Sequence, residues 1–169
     1  MNSTVYVGID VGKNGGVCYL VPNDTTTLYE AYSFKCPSTP RDMAKLLTTP
    51  PILPTPPKDS TMCLLERVHS MPKQGVKSMF TFGCGYGLWQ GILATIPISY
   101  DLVTPSVWMK HYGAMPKEKK DRKNHIKAIA QRLYPEAYIT LATSDAILIA
   151  HYLMMINRID PHTTDQTQW

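Results

Sequence analysis

Three acids stand apart from the other Asp and Glu residues of this 169-residue chain, because each adjoins residues that belong in a core. Asp10 follows Gly8-Ile9, Glu66 follows Leu64-Leu65, and Asp145 precedes Ala146-Ile147-Leu148. A carboxylate in such company is costly to leave unpaired, so it takes a cation partner, a proton or a metal ion. Taken singly, each acid has an ordinary reading. Asp10 suits a turn or cap, Asp145 a helix start favoured by the helix dipole, and Glu66 an ion pair with Arg67 or a lysine. Taken together they are hard oxygen donors suited to Mg2+ or Mn2+. Two such ions about 4 Å apart activate a water and stabilise the leaving oxygen in phosphodiester hydrolysis.

The elements that must position these acids follow from the pattern around them. Residues 5–10 form a β-branched and apolar run ending in Asp10; Gly12, Gly15 and Gly16 precede a second apolar run at 17–21. That is a hairpin whose first strand delivers Asp10 at its end. Residues 26–34 alternate well enough for a third strand. Thr39-Pro40-Arg41-Asp42 opens a short amphipathic helix carrying Met43, Ala44, Leu46 and Leu47. Five prolines between 48 and 60 mark a surface loop. Residues 62–65 form a buried strand ending in Glu66, and adjacent central strands would set Asp10 and Glu66 side by side.

Residues 76–96 have helical length and carry Gly83, Gly85, Gly87 and Gly91. Each would cost an isolated helix about 1 kcal/mol, and the natural use of such glycines is close packing against another helix or backbone. A strand at 98–103 and a short helix at 104–110 follow. Residues 124–134 are amphipathic, with Ile126, Ile129, Ala130 and Leu133 on one face. A strongly apolar helix at 144–159 brings Asp145 in its first turn. Strands first in a meander, then alternating with helices, describe an α/β fold with a mixed β-sheet flanked by α-helices. A single domain over 1–160 and a polar tail at 161–169 account for the chain, with no internal repeat.

Composition narrows the class of protein. Apolar residues make up 44% and charged residues 18%, as in an ordinary globular domain, and the net charge of +4 hints at an anionic partner. No apolar run is long enough to span a membrane. Cys18, Cys36, Cys63 and Cys84 are too scattered for a zinc or redox motif and read as buried free thiols in a reducing compartment. With no targeting pattern at the start, the expectation is a soluble intracellular protein. Lys117, Lys119, Lys120, Arg122 and Lys123 crowd into seven residues. Alone they suit a solvated loop; beside a phosphodiester-cutting centre they suit phosphate contact.

Several short motifs, in order, resemble the RuvC-type Holliday junction resolvases. Gly8-Ile9-Asp10-Val11-Gly12 is similar to their first acidic strand, Leu65-Glu66-Arg67-Val68 to the second, and Asp145-Ala146-Ile147-Leu148-Ile149-Ala150 to their last acidic helix. The stretch Gln74-Gly75-Val76-Lys77-Ser78-Met79-Phe80, then Phe82-Gly83 and Tyr86-Gly87-Leu88-Trp89, resembles the phage and chloroplast branch. Val103-Thr104-Pro105 with Trp108 and Lys110 fits the same branch. The resemblance covers residues 5–152 and implies an RNase H-like fold, a homodimer and two divalent ions, Mg2+ or Mn2+, per active site. It implies symmetric paired nicks across a four-way DNA junction, with Asp10, Glu66 and Asp145 as metal ligands. Lys110 resembles a lysine near the scissile phosphate. His69, Met71, Lys73 and Gln74 fall in the loop that approaches the junction centre, where Met71 or His69 would wedge between bases. Lys77 and the basic cluster complete the expected DNA surface. The aromatic helix (Met79, Phe80, Phe82, Tyr86, Trp89) carries more large rings than one interior needs, and its surplus suits a two-fold interface.

One position departs from the pattern. The resemblance implies a fourth ligand about one turn before Asp145, where this chain has Ala142. Natural divergence, substitution by Glu136 or His151, and an engineered replacement that traps an inactive complex are the alternatives. His151 lies six residues after Asp145 and so off its helix face. A non-catalytic junction-binding protein and a nuclease acting on other branched DNA or on RNA–DNA hybrids remain as rivals. A sugar-kinase or actin-like ATPase also opens with Gly-Ile-Asp and glycines, but needs two related lobes that this chain lacks.

Overall fold

The strand that delivers Asp10 is β1 (Val5–Ile9), and it is buried at every position. A computed structural model describes residues 4–12, 14–23, 28–52, 57–67 and 75–159. β1 pairs antiparallel with β2 (Gly16–Pro22) and parallel with β4 (Thr61–Glu66). β2 pairs antiparallel with β3 (Tyr29–Lys35), and β4 parallel with β5 (Ser99–Val103). The order β3-β2-β1-β4-β5 is a mixed sheet with both acid-bearing strands at its centre. Helices α1 (Pro40–Thr48), α2 (Val76–Leu93), α3 (Pro105–Lys110), α4 (Lys119–Leu133) and α5 (Ser144–Ile159) cover it.

Alternation along β1 divides the core in two, since successive side chains point to opposite faces. Tyr6, with Cys18, Leu20 and Leu64 from neighbouring strands, packs under α3, α4 and α5 against Trp108, Ile126, Ile129, Ile147 and Leu148. Val5, Val7 and Ile9, with Val17 and Leu65, pack under α1 and α2 against Leu46, Leu47, Trp89 and Leu93. Gly8 is the reason α5 sits so low on the sheet. A Cβ at that position would run into the backbone of Ala146 and Ala150. The absent side chain lets the helix axis approach β1 directly and carries Asp145 down to the end of the strand.

Three expectations change. Helix α4 begins at Lys119, so most of the basic cluster belongs to its first turns and not to a loop. Gly83, Gly87 and Gly91 do not pack closely against any described residue, because a Cβ at each would meet open space there. Cys18 and Cys63 are buried free thiols, but Cys84 is exposed on α2. The third strand begins at Tyr29, and the tail at 161–169 lies outside the described residues. No helix among the described residues is long and apolar enough to cross a membrane.

Candidate active site

The parallel register Ile9↔Leu65 makes Asp10 and Glu66 neighbours where the two central strands end. Asp145, in the first turn of α5, closes the third side. All three acids are buried, at 7%, 7% and 6% exposure respectively. The Gly12 N–H donates to Asp10 Oδ1 at 3.1 Å, and the Asp10 amide donates to the Gly16 carbonyl at 3.0 Å, which closes the hairpin. The Trp108 Nε1–H donates to Glu66 Oε1 at 3.0 Å. Lys123 Nζ lies 2.5 Å from Asp145 Oδ2 and 4.0 Å from Asp10 Oδ2.

The electrostatics show more negative charge than these partners neutralise. Burial, reinforced by repulsion from Asp145, raises the Asp10 pKa, while Lys123 and the Gly12 N–H oppose the rise. Burial and the nearby Asp10 push Glu66 up from 4.5 to about 8, against the Trp108 hydrogen bond. For Lys123, burial works against the charge, but Asp145, Asp10 and Glu66 outweigh it and its pKa is raised. Buried carboxylates whose charge is disfavoured at Asp10 and Glu66, with one ammonium beside them, are chemically suited to a hard divalent cation. The arrangement as it stands is closed around Lys123: among the described residues, no three His, Cys, Asp or Glu side chains are grouped to hold an ion. The donor type, carboxylate oxygen, is the one a hard divalent cation takes, and Lys123 contacts two of the three acids.

Ala142 lies in the turn before α5 and offers no oxygen beyond its backbone. Its N–H donates to Thr140 Oγ1 at 3.2 Å, and Thr143 Oγ1 accepts from the Thr140 N–H at 3.1 Å, so threonines close this turn. A Cβ on Gly16 would lie 2.9 Å from the Ala142 carbonyl, which sets the turn against the Asp10 hairpin. Neither proposed substitute joins the acids. Glu136 and His151 line a separate cavity of about 610 Å3, with Tyr29, Tyr134 and Arg158. His151 Nδ1 is 2.9 Å from the Tyr112 hydroxyl, which donates to the Leu148 carbonyl at 2.7 Å. Burial, with the charges of His111 and Arg158, lowers the His151 pKa to about 4.

The expected DNA-contacting residues divide. Lys110, Lys117 and Arg122 line one open concavity of about 530 Å3 with Ser106 and Met109. Arg122 Nη1 donates to the carbonyls of Pro116 at 3.2 Å and Lys117 at 2.9 Å, so this guanidinium braces the concavity's rim. Lys119 and Lys120 are exposed at the start of α4, and Lys77 at the start of α2. Lys123, expected on the DNA surface, points instead into the acids. His69, Met71, Lys73 and Gln74 lie outside the described residues. What was missed from the sequence is the role of Trp108, a residue of the resemblance pattern, as the partner of Glu66. Its signal was available: a tryptophan buried in a short helix must find an acceptor for its N–H.

Comparison with solved structures gives the same architecture. Thermus thermophilus RuvC in complex with Holliday junction substrate matches at a TM-score of 0.59 and 13% identity, over 93% of this chain and 97% of that one. A second Thermus thermophilus RuvC structure matches at 0.59 and 13%, over 92% and 96%. No family model and no curated protein sequence matches the chain. The mixed five-stranded sheet flanked by helices is the RuvC-like, RNase H-like α/β fold.

Proposed function

We propose that this chain is a divalent-metal-dependent endonuclease that cuts four-way DNA junctions. The observation that supports it most is the convergence of Asp10, Glu66 and Asp145, from two central strands and the helix seated on them, into one buried group. The structural neighbour in complex with junction DNA supports the choice of substrate. Asp10, Glu66 and Asp145 would hold Mg2+ or Mn2+, and a bound ion would supply Lewis-acid stabilisation of the phosphate and an activated water for hydrolysis. With alanine at 142 in place of a fourth ligand, the three acids would hold one ion and leave a second weakly held.

The chain's own residues have defined tasks. Trp108 and the Gly12 N–H fix the carboxylates that face the scissile phosphate. Lys123, freed from part of its contact with Asp145, holds its proton at Nζ and is placed to meet the phosphate's negative charge. Lys110 and Lys117 in the concavity, with Lys119, Lys120 and Lys77, track the backbone without reading sequence. His69, Met71, Lys73 and Gln74, outside the described residues, remain the proposed contact with the junction centre. For α2 we propose a second copy as partner. Val76 is 80% and Phe80 73% exposed, an apolar face suited to a two-fold interface.

A second reading rests on Ala142 and the Lys123–Asp145 pair: a protein that binds junctions without cutting them. Incubating the chain and its Ala142→Asp variant with a synthetic four-way junction, a plain duplex and an RNA–DNA hybrid separates the readings. Symmetric nicks on the junction alone, faster in the variant, support the nuclease. Tight junction binding without nicks at any Mg2+ or Mn2+ concentration supports the binding protein. Cleavage of the hybrid in preference to the junction moves the substrate assignment.

A further inference from the structure

Helix α3 has two functional sides in six residues. Trp108 is fully buried and its N–H reaches Glu66, 42 residues away in sequence. Ser106, Met109 and Lys110 line the basic concavity with Lys117 and Arg122. A helix this short has no independent rigidity, so it is held by what its two sides touch. Inward, the indole packs in the core under α5 and meets Tyr112 edge-on at 6.4 Å between ring centroids. Tyr112 in turn is anchored to the Leu148 carbonyl on α5. Outward, the helix ends in the turn at Gly113, whose φ of +89° only glycine adopts freely. The concavity floor and the carboxylate of Glu66 are thus joined through one rigid aromatic ring.

We infer that Trp108 is the positioning residue for Glu66, and that α3 is the joint through which a phosphate backbone seated in the Lys110–Lys117 concavity acts on that carboxylate. The chemistry of the indole explains why this residue type serves. Its N–H donates only, so it bonds a carboxylate oxygen and offers nothing to a carboxyl proton. It occupies Glu66 Oε1 from one side, which restricts rotation of the carboxylate and leaves Oε2 free of the indole. A phenylalanine would keep most of the packing and lose the bond; Glu66 would then be free to rotate within a buried, negatively charged group. Partners of this kind typically contribute 10–100-fold to metal affinity. Displacement of α3 by a bound backbone moves the donor, and so the ligand.

This inference rests on the metal reading proposed above, and the test separates the two. The wild-type chain has three tryptophans, and so three indole N–H resonances. Mg2+ titrated into the 15N-labelled protein should shift the Trp108 indole strongly and those of Trp89 and Trp169 little. In EDTA, a four-way junction should shift the same resonance, and the Lys110→Ala/Lys117→Ala double variant should lose that second shift while keeping the first. Mn2+ binding by calorimetry should weaken about 10–100-fold in Trp108→Phe. Tyr19→Phe, which gives up a buried hydroxyl bond to the Leu46 carbonyl on the other face of the sheet, should lose thermal stability with metal affinity unchanged. Wild-type-like Mn2+ affinity in a folded Trp108→Phe, or a Mg2+ shift spread equally over all three indoles, overturns the positioning role alone. A Trp108 resonance unmoved by junction DNA overturns the joint. Absence of any Mg2+ or Mn2+ binding by the wild type overturns the metal reading, and the inference with it.

Discussion

Glycines on the two faces of the sheet serve opposite ends. Gly8 on β1 has no room: the backbone of Ala146 and Ala150 occupies the space a Cβ would need. Gly83, Gly87 and Gly91 on α2 have only room, and stand beside exposed Val76, Phe80 and Leu88. The first glycine is used up inside the chain, to bring α5 and Asp145 to the ends of β1 and β4. The others leave an apolar helix face that nothing among the described residues covers. The α5 face therefore builds the acid group, and the α2 face is surplus to the fold, which is the position expected of an interface.

The sharpest way to break this contrast is Gly8→Ala. Both obstacles to its Cβ are backbone, which has little freedom to yield, so the loss should exceed the roughly 1–3 kcal/mol of ordinary overpacking. Urea denaturation would show a collapse of the midpoint, and a midpoint within error of wild type would mean that α5 does not lie against β1.

A second effect belongs to the acids that α5 completes. The folded chain holds Glu66 with a pKa near 8 where the unfolded chain has 4.5. Between those values the folded state retains a proton that the unfolded state has released, so stability falls as pH rises through the window. In EDTA the melting temperature should drop from pH 5 to pH 8. Glu66→Gln should flatten the drop, and Mg2+ should offset it more at pH 8 than at pH 5. An unchanged slope in Glu66→Gln would remove Glu66 as its source.

On the other face, Phe80→Asp should separate association from folding. The dimer constant should weaken about 30-fold or more, as for an interface anchor worth about 2 kcal/mol. The monomer's melting temperature should move little, because Phe80 touches solvent in the single chain. Sedimentation equilibrium reads the first and calorimetry the second. A wild-type chain that sediments as a monomer at all concentrations would leave the α2 face without its proposed partner. The smallest effect is Gly83→Ala. It should stabilise the isolated helix by about 0.5–1 kcal/mol and weaken self-association. Strengthened association would mean that the glycines do not serve close approach.

How much of this was legible follows from range. The helix at Ser144–Ile159 and the strand pair carrying Asp10 and Glu66 were readable, because apolar runs ending in an acid are local signals. The side-by-side placement of Asp10 and Glu66 needed only the premise that their strands are neighbours. The start of α4 was missed because Lys119 to Lys123 has no apolar periodicity; helix geometry continues through the charges from the amphipathic turns that follow. Lys123 was read as a phosphate contact because sequence shows a cluster of cations and not the direction of one side chain. Its path to Asp145 depends on α4 packing against α5. Trp108 was recognised as a pattern residue and not as a partner of Glu66, since the bond spans 42 residues. The packing expected of the α2 glycines was a sound inference about close approach that the described residues do not fulfil.

The central claim is that Asp10, Glu66 and Asp145 form a metal-dependent centre for cutting four-way junctions. The direct measurement is nick mapping on all four strands of a synthetic junction, with and without Mg2+, for the wild type and Asp10→Asn side by side. The account predicts paired, symmetric nicks that need Mg2+, spare the matched duplex, and fall at least a hundredfold, roughly the 2.7 kcal/mol that factor represents, in Asp10→Asn. Cutting that persists in Asp10→Asn or in EDTA would contradict it, as would a wild type that never nicks the junction it binds.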